Sequence, residues 1–384
     1  MKQLMIRYLI LLVALSGGIL SSVRAQVSRD AAISLLFDQD MYLKIVENYS
    51  ADTSGLSGES YKYIGVAYYL SDRSDTMAIH FLEKALSREC SNPDMVYYYL
   101  GQSCLFAKDY VRAKSYYRHL LQRNPRHAGS YVGLGYCMLG EHKTDQACQM
   151  FENAYVIDNK HIGANFNLGI YSDDPKKCRA YLGNVLKSAD STDHYFVRSL
   201  YYLALMDMET KAYTDADRRL LLAKRLAPED SDILEGIIQS LYRQERYAAA
   251  EPYKKELYRM YADTAMAREL KETFFLDEFS YKKYRVVVKE SFESGNAMAG
   301  AVKLVFNVYN EYGRLLYRVR LEYAAADGSA GGTAPAGLCL YQALDNDTRI
   351  RHGGLFAAGY DYGNVKAAVM DILRKKHTAH FSAR

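Results

Sequence analysis

Apolar residues recur along most of the chain at spacings of three and four, the pattern of helices with one buried stripe. Tyr97, Leu100 and Cys104 fall on one such stripe and Ala113, Tyr117 and Leu120 on a second, which predicts a helical hairpin. That hairpin repeats. A large apolar residue followed by a second, usually small, residue occurs at Ile64-Gly65, Leu100-Gly101, Leu134-Gly135, Leu168-Gly169, Leu203-Ala204 and Ile237-Ile238, at spacings of 36, 34, 34, 35 and 34 residues. Twelve residues beyond that second position comes alanine, at Ala113, Ala147, Ala216 and Ala250, with Ala78 displaced by one. A large residue follows four later at Tyr117, Phe151, Leu220 and Leu82, and Pro125 and Pro228 close two units. The fifth unit departs from this pattern, because Tyr181 replaces its alanine and Asp173-Asp174-Pro175 interrupts the turn, so its second helix is expected to begin near Pro175. The last unit departs as well, with Lys254 where a large apolar residue belongs.

From Tyr281 the period changes to alternation. Val286 and Val288 are predicted on one strand, Leu304, Phe306 and Val308 on a second, Leu315, Tyr317, Val319 and Leu321 on a third, and Leu338 to Leu344 form a fourth. The turn Asn310-Glu311-Tyr312-Gly313 makes a hairpin of the second and third. Ala324 to Gly337 reads as a loop, and Tyr362 to Lys375 as a closing helix with Val365, Ala368, Val369, Ile372 and Leu373 on one stripe.

The repeated residues resemble the tetratricopeptide repeat (TPR), whose signature is matched by Tyr97, Leu100-Gly101, Cys104, Ala113, Tyr117 and Pro125. Small residues at the Gly and Ala positions let two helices approach closely, and no hairpin buries its apolar face alone. The expected fold is therefore mainly α: a TPR solenoid of about six to seven helical hairpins, then a small α+β module with an antiparallel sheet and a closing helix. The units fall at 28–57, 58–93, 94–127, 128–161, 162–196, 197–230 and 231–264. The first rests on Ala32, Leu35 and Leu36 with Leu43, Val46 and Tyr49.

Residues 1–25 have the form of a secretory signal peptide: a basic start at Lys2 and Arg7, an apolar run from Tyr8 to Leu15, and Val23-Arg24-Ala25 before a cleavage site. The run is too short to span a bilayer, which takes ~20 residues. The expected organisation is a signal peptide over 1–25, the solenoid over 26–264, a connecting helix or linker over 265–280 and the C-terminal module over 281–384. Cleavage after Ala25 implies a periplasmic or otherwise exported protein with no later transmembrane span. Three of the four excess positive charges belong to Lys2, Arg7 and Arg24, so bulk charge gives no support to nucleic-acid binding.

No catalytic or metal-binding signature is found. No histidine pair brackets a glutamate at helical spacing, and His377 and His380 lie in a basic tail. His352-Gly353-Gly354 reads as a turn, because no Gly-x-Ser-x-Gly accompanies it. Asp345, Asp347 and Asp361 also read as turn residues. No cofactor is expected. Among the six cysteines, Cys148 and Cys178 lie near the second helices of adjacent units and are within reach of a disulfide, although small apolar filling is the favoured reading.

The TPR resemblance implies that the first helix of each hairpin lines a concave groove for a partner segment. The positions that carry over are Tyr98 and Gln102, Val132 and Tyr136, Phe166 and Ile170, and Tyr201 and Leu205. This set is apolar and aromatic, and it lacks the cationic clamp by which some family members hold a terminal carboxylate. The alternative for these residues is packing between helices. The leading functional reading is a non-enzymatic scaffold of the cell envelope that binds an envelope protein or peptide. Two alternatives stay open: a glycan- or wall-binding C-terminal module with the repeats as spacer, and an enzymatic activity hidden in that module.

Overall fold

The computed structural model describes residues 29–262, 273–291, 302–324, 337–343, 349–356 and 360–381. Residues 1–25, read above as a signal peptide, lie outside them. The chain falls into two compact units, Met1–Ala189 and Asp190–Arg384. This division does not coincide with the change of period in the sequence: the last two hairpins belong with the sheet.

The first unit holds five hairpins: α1 (29–38) with α2 (Tyr42–Tyr49), α3 (Gly58–Leu70) with α4 (Asp75–Ser87), α5 (Pro93–Phe106) with α6 (Tyr110–Arg123), α7 (Ala128–Gly140) with α8 (Thr144–Ile157), and α9 (Ile162–Tyr171) with α10 (Pro175–Ser188). The glycine of each repeat pair explains the close helix approach. A Cβ at Gly65 would lie 2.6 Å from Leu82, at Gly101 2.5 Å from Tyr117, at Gly135 2.4 Å from Phe151 and at Gly169 2.6 Å from Leu182. Real Cβ atoms do not approach so closely, so only glycine fits unless the neighbour moves. Tyr117 is held twice, because a Cβ at Gly133 of the next hairpin would also lie 2.3 Å from its ring. One fully buried side chain therefore links two hairpins.

The turns within hairpins repeat too. Asp40, Asp72, Lys108 and His142 each follow a first helix with φ between 51° and 60°, the left-handed conformation that reverses the chain. The fifth hairpin lacks such a residue at this place. Asp174 instead caps α10 by accepting hydrogen bonds from the amides of Lys176 and Lys177, and Pro175 opens the helix. In the first hairpin the core positions differ from expectation: Leu35 and Leu43 are exposed, while Ile33 and Ile45 are fully buried beside Val46. Val46 is buried as expected, and Leu36 and Tyr49 pack partly buried against the same cluster.

The second unit contains α11 (His194–Glu209) with α12 (Tyr213–Leu226), α13 (Ser231–Arg243) with α14 (Tyr247–Ala262), and a sheet closed by α15 (Tyr362–Phe381). Six strands form an antiparallel meander in chain order: β1 (Thr273–Tyr281), β2 (Tyr284–Ser291), β3 (Val302–Tyr309), β4 (Leu315–Ala324), β5 (Gly337–Ala343) and β6 (Arg349–Phe356). The pairing Val288↔Phe306↔Val319 sets the buried face, to which Val286, Leu304, Val308, Leu321, Leu338 and Leu340 also belong. Val365, Val369, Ile372 and Leu373 of α15 are buried as its stripe predicts.

Two strands were not expected. Residues 273–280, assigned above to a connecting helix or linker, form β1. The register shifts between Phe275 and Asp277, so the consecutive residues Leu276 and Asp277 are both buried and the alternation is lost. His352-Gly353-Gly354 is part of β6 and not a turn. At the edge of the sheet that the described residues form, paired with β5 across a further register shift, β6 tolerates glycines that weaken a central strand.

Candidate surface on the first helices

In the first unit, α3 packs on α5, α5 on α7 and α7 on α9, whereas α4, α6 and α8 pack chiefly on the first helices of their own and the following hairpin. The first helices therefore form one continuous face. Tyr98, Gln102, Tyr136 and Ile170 are half-buried on it, accessible to a partner. Gln102 Nε2 donates to the Tyr98 hydroxyl at 2.7 Å. Asn167 Nδ2 donates to the Tyr136 hydroxyl at 2.8 Å and to the Gly163 carbonyl at 2.7 Å, which ties α7 to α9. Burial pushes the Tyr98 phenol up, with the Gln102 hydrogen bond opposing. This phenol is neutral at any physiological pH.

Val132 and Phe166 are different. Both are buried, at 7% and 9% exposure, and Val132 Cγ1 abuts the position where Gly163 would carry a side chain. They are inter-helix packing. The repeat pattern allows both uses at the same position: at the fifth position of their units, Tyr98 is half-buried while Val132 and Phe166 are buried.

Tyr201 and Leu205 lie on α11 in the second unit, each half-buried. The Arg198 guanidinium sits 5.0 Å from the Tyr201 ring centre and pairs with Asp232 at 3.0 Å. A Cβ at Gly236 would lie 3.2 Å from the Tyr201 ring, so this tyrosine also packs on the following first helix, α13.

Sequence reasoning missed Leu70 and Phe106. They are the last residues of α3 and α5, 40% and 63% exposed, and Phe106 lies 5.9 Å from the ring of Tyr69, which in turn lies 5.2 Å from that of Tyr99. Both sit at the thirteenth position of their units, one helical turn beyond the fifth and ninth positions carried over above, and continuing that series along the helix would have found them. The result is an apolar and aromatic surface. Its first-helix positions in the second to fifth hairpins include one buried cation, Lys62, and this is paired with Glu59 and hydrogen-bonded to Ser91.

A second concentration of polar groups lies within the second unit, in a cavity of about 500 Å³ lined by Tyr242, Lys254, Tyr258, Glu290, Tyr360 and Tyr362 among others. Lys254 Nζ lies 3.0 Å from Glu290, whose other oxygen accepts from the Tyr360 hydroxyl at 2.9 Å. Two residues on, Tyr362 donates to Asp277 at 2.8 Å, and Lys366 Nζ pairs with Asp277 at 3.0 Å. Burial pulls the Lys254 ammonium down, but Glu290 and the neighbouring acids outweigh it, and the group is held above its ordinary range and charged. Lys254 departs from the repeat pattern because its helix faces a sheet and not another hairpin. The buried charges are paired as ions, Lys254 with Glu290 and Lys366 with Asp277, so this cluster reads as a junction between the terminal hairpin and the sheet.

The cysteines are free thiols. Cys148 Sγ faces the Tyr171 carbonyl at 3.9 Å and Cys178 Sγ the Ser172 carbonyl at 3.0 Å, so the two thiols approach adjacent residues without being bonded. Among the described residues no group of three or more His, Cys, Asp or Glu is placed to hold a metal ion, and no helix is long and apolar enough to cross a membrane. Asp361 caps α15 by accepting from the Asn364 amide at 3.1 Å, the turn role assigned to it. The side chains of His377 and His380, and residues Asp345 and Asp347, lie outside what the structure describes.

No family model matches the chain, and no curated protein matches it in sequence. Solved structures do. A thermophilic TPR protein of Thermus thermophilus is 20% identical, the match covering 50% of this chain and 98% of that one at a TM-score of 0.38. Pseudomonas aeruginosa pilF is 19% identical over 55% of this chain and 94% of its own, with a TM-score of 0.46. The APC/C hetero-tetramer Cut9–Hcn1 is 15% identical over 62% of this chain and 47% of that one, with a TM-score of 0.51. The helical hairpins have the TPR-type fold.

Proposed function

We propose that the chain is a non-enzymatic scaffold of the cell envelope that holds an apolar or aromatic segment of an envelope protein or peptide against the first-helix face of its hairpins. The observation that carries this is the exposure of Leu70 and Phe106 on the same run of first helices as the half-buried Tyr98, Tyr136 and Ile170, on a face almost without free charge. Large apolar side chains left in water along one face are favourable only if something covers them, at roughly 25 cal/mol per Å² of apolar area removed from water. The TPR-type fold supports the reading, since stacked hairpins present a long continuous surface suited to an extended or helical segment. Placement in the envelope rests on the form of residues 1–25, and the mature chain then begins at Gln26.

The test is capture. The full-length protein is exported with an affinity tag, and the partners retained are identified for the wild type and for Phe106→Ala and Ile170→Ala. Loss of one and the same partner in both variants supports the reading. Equal retention by all three moves the binding surface elsewhere.

A further inference from the structure

We propose that His127 and His161 form an acid-labile pair of helix caps, one repeat apart, that loosens the first-helix face of the third to fifth hairpins when their rings take up protons. The first helices of the other capped hairpins begin at Ser57, Asn92, Asp193 and Asp230, each using a side-chain oxygen to accept a backbone amide. A hydroxyl, amide or carboxyl oxygen keeps a lone pair to accept with, whether or not the group carries a proton. The two central helices use imidazole nitrogen. His127 Nδ1 accepts from the Ser130 amide at 3.1 Å, and His161 Nδ1 accepts from the Ala164 amide at 3.3 Å. An accepting Nδ1 requires a neutral ring with its hydrogen on Nε2. Protonation removes the acceptor from the amide that it caps and sets a cation on the positive end of the helix dipole; at His127 the Ser130 hydroxyl, 3.0 Å from Nδ1, can accept the new proton, so the amide bond is lost while a side-chain contact stays.

The two caps share one design, His-x-Gly, at His127-Ala128-Gly129 and His161-Ile162-Gly163. At the first, a Cβ on Gly129 would lie 3.1 Å from the Tyr98 ring and 3.3 Å from His127 Cε1; at the second, one on Gly163 would lie 3.3 Å from Val132 Cγ1 and 3.5 Å from His161 Cε1. Each ring thus stands over a glycine beside the fifth-position residue of the preceding first helix, and the Tyr98 and His127 rings meet edge to face at 5.2 Å. Movement of a ring is felt where the hairpins join.

The surrounding groups favour the neutral form on balance. Burial lowers both rings below the ordinary histidine value; Asp94, itself held by Arg123 at 2.6 Å, opposes this at His127, and Asp158 opposes it at His161. A charge on His161 further disfavours one on His127. A basic group whose pKa is lower in the folded state contributes stability that is complete above its unfolded value, near 6.5, and that is lost as pH falls towards the folded value. The window is therefore the mildly acidic one below about pH 6.5.

The experiment compares the full chain with H127N/H161N, in which asparagine keeps a cap whose oxygen does not titrate. Thermal unfolding is followed from pH 7.5 to 5, and the ring-proton shifts of both histidines are titrated in the wild type. The wild type is expected to lose about 2–4 °C per cap relative to the variant as pH falls, with both ring midpoints below 6.5. A midpoint at or above 6.5 for either ring overturns the proposal, as does a difference between the proteins that does not grow on acidification. If the variant fails to fold at pH 7.5, the ring titration alone decides. On the scaffold reading above, partner capture weakens over the same window; since rings and unfolding are read without a partner, failure of that reading leaves this test intact.

Discussion

Lys254 and Glu290 face each other at 3.0 Å, the lysine 7% and the glutamate 1% exposed. A repeat position that holds a large apolar side chain in other hairpins carries half of a buried ion pair in the last one. Removing one partner strands the other charge in a poorly solvated place, whereas removing both need not destabilise.

Lys254→Met is accordingly expected to cost about 3–5 kcal/mol of stability. The double variant Lys254→Met with Glu290→Leu should recover most of it. Chemical denaturation measures both, and a double variant no more stable than the single one would contradict the pairing.

Gly135→Leu forces a side chain into the space of Phe151, where even a Cβ would lie at 2.4 Å. A loss of roughly 1–3 kcal/mol or more is expected. Gly183, whose Cβ would meet nothing within 4 Å, is the control: Gly183→Ala should be neutral or stabilise by up to ~1 kcal/mol, since it lies inside α10. Equal thermal shifts for the two variants would refute the repeat register.

The groove residues separate into two kinds. Phe166→Ala should destabilise by about 3–5 kcal/mol, as a core truncation does. Phe106→Ala, at a side chain 63% exposed, should change stability by no more than about 0.5 kcal/mol. Unfolding curves of the two variants suffice to tell whether packing or accessibility governs each position.

Burial pushes the thiol of Cys104 up to about 11 and that of Cys137 up to about 12. Both are fully buried, while Cys90 and Cys148 are partly accessible. Alkylation of the native protein at pH 8 should modify Cys90 and Cys148 first and leave Cys104 and Cys137 intact until the chain unfolds, as peptide mass mapping would show. Early modification of Cys104 would mean that the third and fourth hairpins open more readily than their packing implies.

The hairpins were legible because their stability depends on contacts that sequence records directly: the glycines at 101 and 135 each make room for a large ring sixteen residues on, and a small residue meets a large one in the same way, with leucine in place of the ring, at Gly65 and Gly169. Strands β2 to β5 were legible for the same reason, through alternation. Strand β1 was not, because the irregularity after Phe275 buries Leu276 and Asp277 together, and β6 was not, because Gly353 and Gly354 carry no face at all. On the candidate surface, spacing located the helix face but not the depth of each residue. Tyr98, Val132 and Phe166 share a repeat position, yet the first is half-buried and the other two are buried, a difference set by packing between helices that no spacing records. His127 and His161 escaped notice because histidine is an uncommon cap and its role depends on a hydrogen bond that no spacing reveals.

The claim that the first-helix face holds a partner is tested most directly by contact. A photo-crosslinking amino acid placed at Phe106 or Ile170 in the full-length chain, activated in living cells, should give a covalent adduct to one and the same protein. Placed at Val156, 83% exposed on the second helix α8, it should not. Adducts of that protein from Val156 as readily as from Phe106 and Ile170, or from Val156 alone, would contradict the account.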